Sequence, residues 1–517
     1  MLKGYLAIHL HAHLPYVRHP DYERFLEEKW FFDAIIDTYV PLLLRLEQLH
    51  DEGIPHRLSM TLSPTLLLMF ADKLLQERFQ RHLSLQLELC DKELSRIGED
   101  AGFGPIINLY HRRLISVKNQ FSRFHGNLAA GFKRLADLGH LELVTCAATH
   151  ALLPHLQLVP EAIARQLQYA AETHERLLGR APDGIWLPEC AYTPGLEAAL
   201  VERGLLYTFA DSHALYLGLP RSVRGVYSHV YLPNGLAVFA RDIESSKQVW
   251  SAKEGYPGDY AYRDYYRDIG FDLPIEYVAP YIHDYREPVL TGFKYYAITG
   301  ETDDKKPYDP ALGLAKAKEH AYHFIWCREQ QVRWLQDRLD REPILVAPYD
   351  AELFGHWWFE GPDFLYYLFR AAAENPVIHA IAAKDYLLKY PRSQVVIPNT
   401  SSWGDGGYYR VWTNQSNEWI YPHTNALGRV LAEAKTNHQP WTSKTKNQAE
   451  RELLLAQASD WAFILTSGTS PGYAAEQTIQ HLNNASYLLE ALDSNSPPEK
   501  LAEIERRDNA FSFEENQ

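Results

Sequence analysis

Residues 343–362 read PILVAPYDAELFGHWWFEGP, in which four apolar residues, Ile344-Leu345-Val346-Ala347, run directly into Pro348, Tyr349 and Asp350. A short unbroken apolar run suits a strand buried on both faces, the habit of parallel sheets covered by helices. Outward from it, six more short runs of β character lie at 5–10, 57–62, 140–146, 184–187, 206–210 and 237–240, separated by long helical stretches. Seven strands alternating with helices predict parallel βαβ units, for which a barrel-like parallel sheet is the economical architecture.

Two regions depart from this alternation. Residues 72–139 read as helices without a strand, longer than a crossover needs, and predict a helical insertion with a lid-like or structural role. Beyond residue 396 helices take over, at 425–434, 447–465, 473–493 and 497–508. Within 447–465, Leu454, Ala458, Trp461 and Leu465 recur at i, i+4, i+7 and i+11, which predicts one buried face of a continuous helix. The expected division is a catalytic unit over 1–395 and an α-helical C-terminal domain over 396–517, docked on it. A polar, Pro-containing connection, ITGETDDKKPYDP at 298–310, precedes a helix expected over 311–341.

The 517 residues carry 51 Lys and Arg against 66 Asp and Glu, a formal charge of −15, with 46% hydrophobic and 23% charged residues. This composition is globular and excludes disordered, collagenous and disulfide-stapled chains. The acidic balance without basic clusters excludes nucleic acid as the expected partner, because phosphate backbones are bound by Lys and Arg. Cys90, Cys146, Cys190 and Cys327 lie far apart without a CxxC, so neither a zinc site nor a disulfide framework is indicated and a reducing compartment fits best. The opening MLKGYLAIHLHAHLPY is too short and too polar for a signal peptide or membrane span, and the expected location is the cytoplasm. Twelve Trp, 33 Tyr and 21 Phe are many for a core of this size. Aromatic faces with polar tips suit stacking on sugar rings, although a rich core reads equally well.

In a parallel barrel the reactive groups stand at the carboxyl ends of the strands. The first run ends in His9-Leu10-His11-Ala12-His13, and strand alternation puts the three imidazoles on one side, where they could bond substrate, ligate a metal or simply pack. His150, after the third run, reads by itself as a loop histidine. The fourth run leads to Trp186-Leu187-Pro188-Glu189, where a proline stiffens the backbone that carries a carboxylate, an arrangement suited to a nucleophile. The seventh ends at Asp350 before an aromatic wall containing Trp357, and apolar surroundings raise a carboxyl pKa as a general acid requires. Two carboxyl groups in one barrel mouth with aromatic platforms form a constellation for glycosidic bond chemistry. Metal binding and salt bridging by strand-end acids are the competing readings.

Four segments, HLHAHLPYVRHP, ATHALLPHL, GIWLPECAY and APYDAELFGHWWFEGP, resemble in order the conserved regions of glycoside hydrolase family 57. The likeness extends through SSWGDGGYYRVW, AQASDWAF and ERRDNAF, and is greatest to the 1,4-α-glucan branching members. It implies a (β/α)7 barrel with a helical insertion and a helical C-terminal domain, and a retaining double displacement with Glu189 as nucleophile and Asp350 as general acid/base. It implies further that His11 bonds the sugar, that His13 and His150 are motif histidines, and that Trp403 and Trp412 stack on substrate. Asp460 falls where a substrate-contacting acid is expected, with an N-cap or salt-bridge role equally compatible. For the tryptophans the competing role is packing between domains. Branching members carry a mobile loop after the fifth strand whose tyrosine closes the site; Tyr227 is its best match here, Tyr231 the next, on a segment (213–227) that looks short.

The resemblance implies no cofactor and no metal, and a linear α-1,4-glucan as both donor and acceptor. A 4-α-glucanotransferase or α-amylase of the same fold is the first alternative. A metal-dependent polysaccharide deacetylase using His11 and His13 is another, although no first-strand Asp completes its ligand set. A non-catalytic glucan-binding protein is the third.

Overall fold

The computed structural model describes residues 3–251, 254–282, 288–300, 302, 304–435, 439–494 and 496–511. Its strands are β1 (Gly4–Ala12), β2 (Leu58–Leu62), β3 (Leu141–Val144), β4 (Gly184–Ile185), β5 (Tyr207–Ala210), β6 (Val230–Tyr231), β7 (Ala237–Ala240), β8 (Ile344–Asp350) and β9 (Ile378–Ala380). All seven expected runs are strands. They lie in two parallel stretches, β3-β2-β1-β8 and β4-β5-β7. A parallel bridge between Thr145 and Ile185 joins β3 to β4, and the Asp242 amide donates to the Val346 carbonyl at 2.8 Å, tying the end of β7 to β8. The circuit is a seven-stranded parallel barrel. Short β9 pairs with the start of β1, and β6 adds antiparallel to β7.

Strand alternation separates two cores. Tyr5 and Ala7 of β1 meet Trp186, Phe209, Phe239, Ile344 and Val346 inside the barrel. Leu6, Ile8 and Leu10 face outward into the largest core, shared with the surrounding helices. Each fully buried aliphatic or aromatic side chain stabilises by about 1.5–3 kcal/mol. His9 also points inward and is fully buried, with Nδ1 3.0 Å from Ser59 Oγ, Nε2 3.0 Å from Thr61 Oγ1 and its ring stacked on Trp186. Burial drives its pKa down to about 3, so it is a neutral, satisfied histidine of the barrel interior.

Between β2 and β3 the chain forms the long helices Lys73–Ile97 and Gly104–Arg123 and the short Ala129–Asp137, with no strand. The first begins where Asp72 accepts from the Leu75 amide at 2.9 Å, an N-cap. The connection at 298–310 runs as a loop into helix Pro310–Leu335, which ends six residues earlier than expected; Glu301 and Asp303 of that loop lie outside the described residues.

The C-terminal helices are Ile420–Glu433, Pro440–Ala456, Ser459–Ser467, Pro471–Ala491 and Leu501–Arg507. The continuous helix expected over 447–465 is therefore two. Ala458 leaves the helical region to form an antiparallel bridge with Ala151, and the Ser459 amide donates to the His150 carbonyl at 3.1 Å. Leu454 and Trp461 consequently enter different buried clusters instead of one helix face. This interruption turns the start of helix Ser459–Ser467 toward the carboxyl ends of the barrel strands.

Candidate active site

The parallel register of β1 and β8 sets His11 beside Asp350 at the carboxyl end of the barrel. Beyond Asp350 the chain makes one 3-10 turn, Ala351–Leu353, and delivers Glu352 to the same cleft. Glu189 arrives from the turn Pro188–Cys190 after β4. Its backbone is left-handed (φ 59°, ψ 22°), as is that of Cys190 (φ 52°). For residues other than glycine this costs on the order of 1–3 kcal/mol and persists where surroundings enforce it. Here the Trp403 amide donates to the Glu189 carbonyl at 3.1 Å, and the Ala191 amide to that of Pro188 at 3.0 Å. His150 is left-handed too (φ 58°), held by the contact with Ser459.

The cleft has a volume of about 620 Å³. Glu189, Asp350 and Glu352 all line it, as do His11, His13 and His150. Each oxygen of Glu189 has its own donor: Trp403 Nε1 reaches Oε2 at 3.0 Å and Ser459 Oγ reaches Oε1 at 3.2 Å. Burial nevertheless lifts its pKa to about 7, with the Trp403 bond opposing the rise and the Asp460 charge adding to it. Asp350 has no side-chain hydrogen-bond partner among the described residues, and burial plus the charges of Glu352 and Glu189 hold its carboxyl well above the usual range. Glu352 accepts from the Tyr39 hydroxyl and, at 3.2 Å, from the His13 amide; burial raises it to about 7 against the Tyr39 bond.

The imidazoles form a second layer. His11 Nε2 is 2.9 Å from His150 Nε2, and His150 Nδ1 is 2.8 Å from Ser459 Oγ. Burial and then the neighbouring histidines press both far below the ordinary value, so both are neutral. His13 Nε2 lies 3.0 Å from Asp460 Oδ1 and its Nδ1 2.9 Å from Ser63 Oγ. Trp357, half-exposed, packs against Tyr265 with ring centroids 4.4 Å apart, and Trp250 and Phe463 are also exposed on the cleft wall. These faces suit the apolar sides of sugar rings.

Most of the residues singled out in the sequence meet here: His11, His13, His150, Glu189, Asp350, Trp357, Trp403, Trp412 and Asp460. Trp412 is only 2% exposed and packs over Gly404 and into the C-terminal core, so it walls the cleft without presenting a free face. Trp403 directs its N–H to Glu189 as well as bordering the cleft.

Tyr227 does not line the cleft. Its carbonyl accepts from the amide of Ile344, the first residue of β8, at 3.0 Å. Six residues at about 3.3 Å each put that point ~20 Å from Asp350, at the opposite end of the barrel. After helix Ser212–Tyr216 the chain does not turn over the cleft. It bridges Leu219 to Ile397 and descends the outer wall. Tyr231 also lies off the cleft, in β6 with its hydroxyl on the Pro391 carbonyl.

Sequence reasoning missed Glu352, Tyr39, Ser459 and Trp250. Glu352 had a signal, standing two residues beyond Asp350 on an extended segment. Ser459 had none, since the periodicity of 447–465 predicts a continuous helix through it. At the cleft, two groups of residues each bring potential ligand atoms within 4.8 Å of one another, His13 with His150 and Asp460, and His11 with Cys146 and His150. In the first group the bonds already given engage His13 Nε2 with Asp460.

A parallel barrel with three carboxyl groups lining one cleft and an aromatic wall at its carboxyl end is the arrangement of an enzyme acting on glycosidic bonds. The comparisons make this specific. Residues 7–330 match glycosyl hydrolase family 57, and residues 423–514 match the C-terminal region of 1,4-alpha-glucan branching enzymes. The chain belongs to glycosyl hydrolase family 57. A 1,4-alpha-glucan branching enzyme of Thermococcus kodakarensis is 32% identical over 99% of this chain and 78% of its own. Among solved structures, the alpha-amylase AmyC of Thermotoga maritima superposes with TM-score 0.92 at 39% identity, covering 99% of this chain and 98% of that one. The branching enzyme of Pyrococcus horikoshii superposes with TM-score 0.88 at 32% identity, covering 99% and 95%. No helix among the described residues is long and apolar enough to cross a membrane.

Proposed function

We propose that the protein is a 1,4-α-glucan branching enzyme working by retaining double displacement, with Glu189 as nucleophile and Asp350 as general acid/base. The observation that carries the assignment of roles is the asymmetry of the two carboxyl groups. Two donors hold Glu189 and favour its anion, whereas Asp350 has no such donor and two acidic neighbours, which favour its protonated form. Asp350 then protonates the departing glycosidic oxygen while Glu189 attacks the anomeric carbon. With the glycosyl ester formed, Asp350 takes the proton of the acceptor hydroxyl. An acceptor 6-hydroxyl yields an α-1,6 branch on a linear α-1,4-glucan. His11, His13, His150, Trp357, Trp403, Trp412 and Asp460 position the glucan, on a barrel over 1–395 with the C-terminal part, 396–517, completing the cleft.

Hydrolysis is the second reading, and one observation favours it: Tyr227 lies away from the cleft, so no tyrosine from that segment covers the intermediate. The superposition on an alpha-amylase points the same way. Incubation with amylose followed by debranching with isoamylase separates the two. Branching releases new short linear chains on debranching, whereas hydrolysis gives reducing ends without them.

A further inference from the structure

We propose that His11, His150 and Ser459 form a directional hydrogen-bond relay that links a substrate hydroxyl at His11 Nδ1 to the charge on Glu189, with Ser459 as the positioning residue that completes it. The inference rests on the reading of Glu189 as nucleophile and deepens it.

The direction follows from counting donors. An ionised Glu189 only accepts, so the Ser459 hydroxyl, 3.2 Å from Oε1, donates to it. Ser459 Oγ then has to accept from His150 Nδ1 at 2.8 Å, which puts the proton of neutral His150 on Nδ1. His150 Nε2 is left as an acceptor, and the 2.9 Å contact to His11 Nε2 requires the proton of His11 on Nε2. His11 Nδ1 is thereby a bare acceptor. It is also a buried nitrogen with no partner, on a residue that lines the cleft. A buried polar atom left unpaired is costly, and a donating sugar hydroxyl satisfies it.

When Glu189 is neutral, every bond reverses. A proton taken up at His11 Nδ1 releases that on Nε2 to His150 Nε2; His150 passes its Nδ1 proton to Ser459, and Ser459 passes its own to Glu189 Oε1. One proton enters and one carboxylate is neutralised. His11 Nδ1 is then a donor. A substrate hydroxyl that donates to His11 thus selects the ionised Glu189, so glucan binding itself prepares the nucleophile. The break at Ala458 has a use in this scheme, because a continuous helix would not bring Ser459 to this point.

The titratable and charged groups around Glu189 are Asp350 at the end of β8 and Glu352 just beyond it, His11 in β1 and His13 just beyond it, Cys146 and His150 after β3, Cys190 on its own turn, Arg241 after β7, Asp405, Asp460 beside Ser459, and Tyr421. The experiment is the pH profile of kcat/KM on amylose. Ser459→Ala is expected to lower kcat/KM about tenfold at neutral pH and to move the acid limb upward by about one unit, with Ser459→Thr restoring both. In the parent protein His11→Phe also shifts that limb; in the Ser459→Ala background it no longer does. Folding is checked by thermal unfolding of each variant. An unmoved acid limb in folded Ser459→Ala, or an undiminished His11→Phe shift in that background, overturns the relay while an inactive Glu189→Gln leaves the nucleophile standing. A Glu189→Gln that retains turnover overturns both.

Discussion

The indole N–H of Trp403 donates to Glu189 Oε2 at 3.0 Å, and the Trp403 amide donates to the carbonyl of the same residue at 3.1 Å. One residue from beyond the last barrel strand thus fixes both the side chain and the strained backbone of Glu189. A hydrogen bond to a charged group contributes about 1.5–3 kcal/mol, so Trp403→Phe is expected to lower kcat about tenfold to hundredfold. Because the lost donor favours the anion, the acid limb of the rate profile moves to higher pH. Steady-state kinetics on amylose across pH checks this; an unchanged kcat contradicts it.

Glu352 predicts an effect on stability. Burial holds its folded pKa near 7, above its ordinary value of 4.5. Between those two values the folded protein binds more protons than the unfolded chain, so this group contributes a destabilisation that grows as pH rises through that window. Glu352→Gln, which keeps an acceptor for Tyr39 and His13, should therefore stabilise by about 1–3 kcal/mol at pH 8 and by nothing at pH 4. Thermal unfolding at both pH values measures it. Removing that charge from beside Asp350 also lowers the pKa of Asp350, which moves the basic limb of activity to lower pH.

The location of Tyr227 predicts the absence of an effect. Tyr227→Phe should leave the ratio of branching to hydrolysis within about twofold. Trp250, half-exposed on the cleft wall, is the contrasting case: Trp250→Ala should raise KM for amylose about threefold to tenfold, the size of a lost stacking contact. Product analysis of both variants, with and without isoamylase, decides between these placements.

The barrel was legible because its signal is local. Runs such as Ile344-Leu345-Val346-Ala347 have buried neighbours on both sides and need no distant information. Glu189 and Asp350 are legible as candidates for the same reason, since strand ends carry the chemistry of such folds. What the sequence could not show depends on contacts between distant segments. Residues 454–465 have helical periodicity throughout, and only the capture of Ala458 by Ala151 breaks them. Tyr227 lies suitably soon after the fifth strand, yet the bridge of Leu219 to Ile397 draws its segment to the far end of the barrel. The two-residue β6 and three-residue β9 are set by pairing with strands already in place.

In the proposed double displacement Glu189 becomes covalently glycosylated and Asp350 serves both steps. The direct test is to treat the Asp350→Asn variant with an activated donor, α-maltotriosyl fluoride, whose leaving group needs no acid, and to map the adduct by peptide mass spectrometry. The account predicts a maltotriosyl ester on Glu189 that accumulates because its release lacks a base. An adduct on Glu352 or Asp460, or turnover of the fluoride with inversion and no adduct, would contradict it.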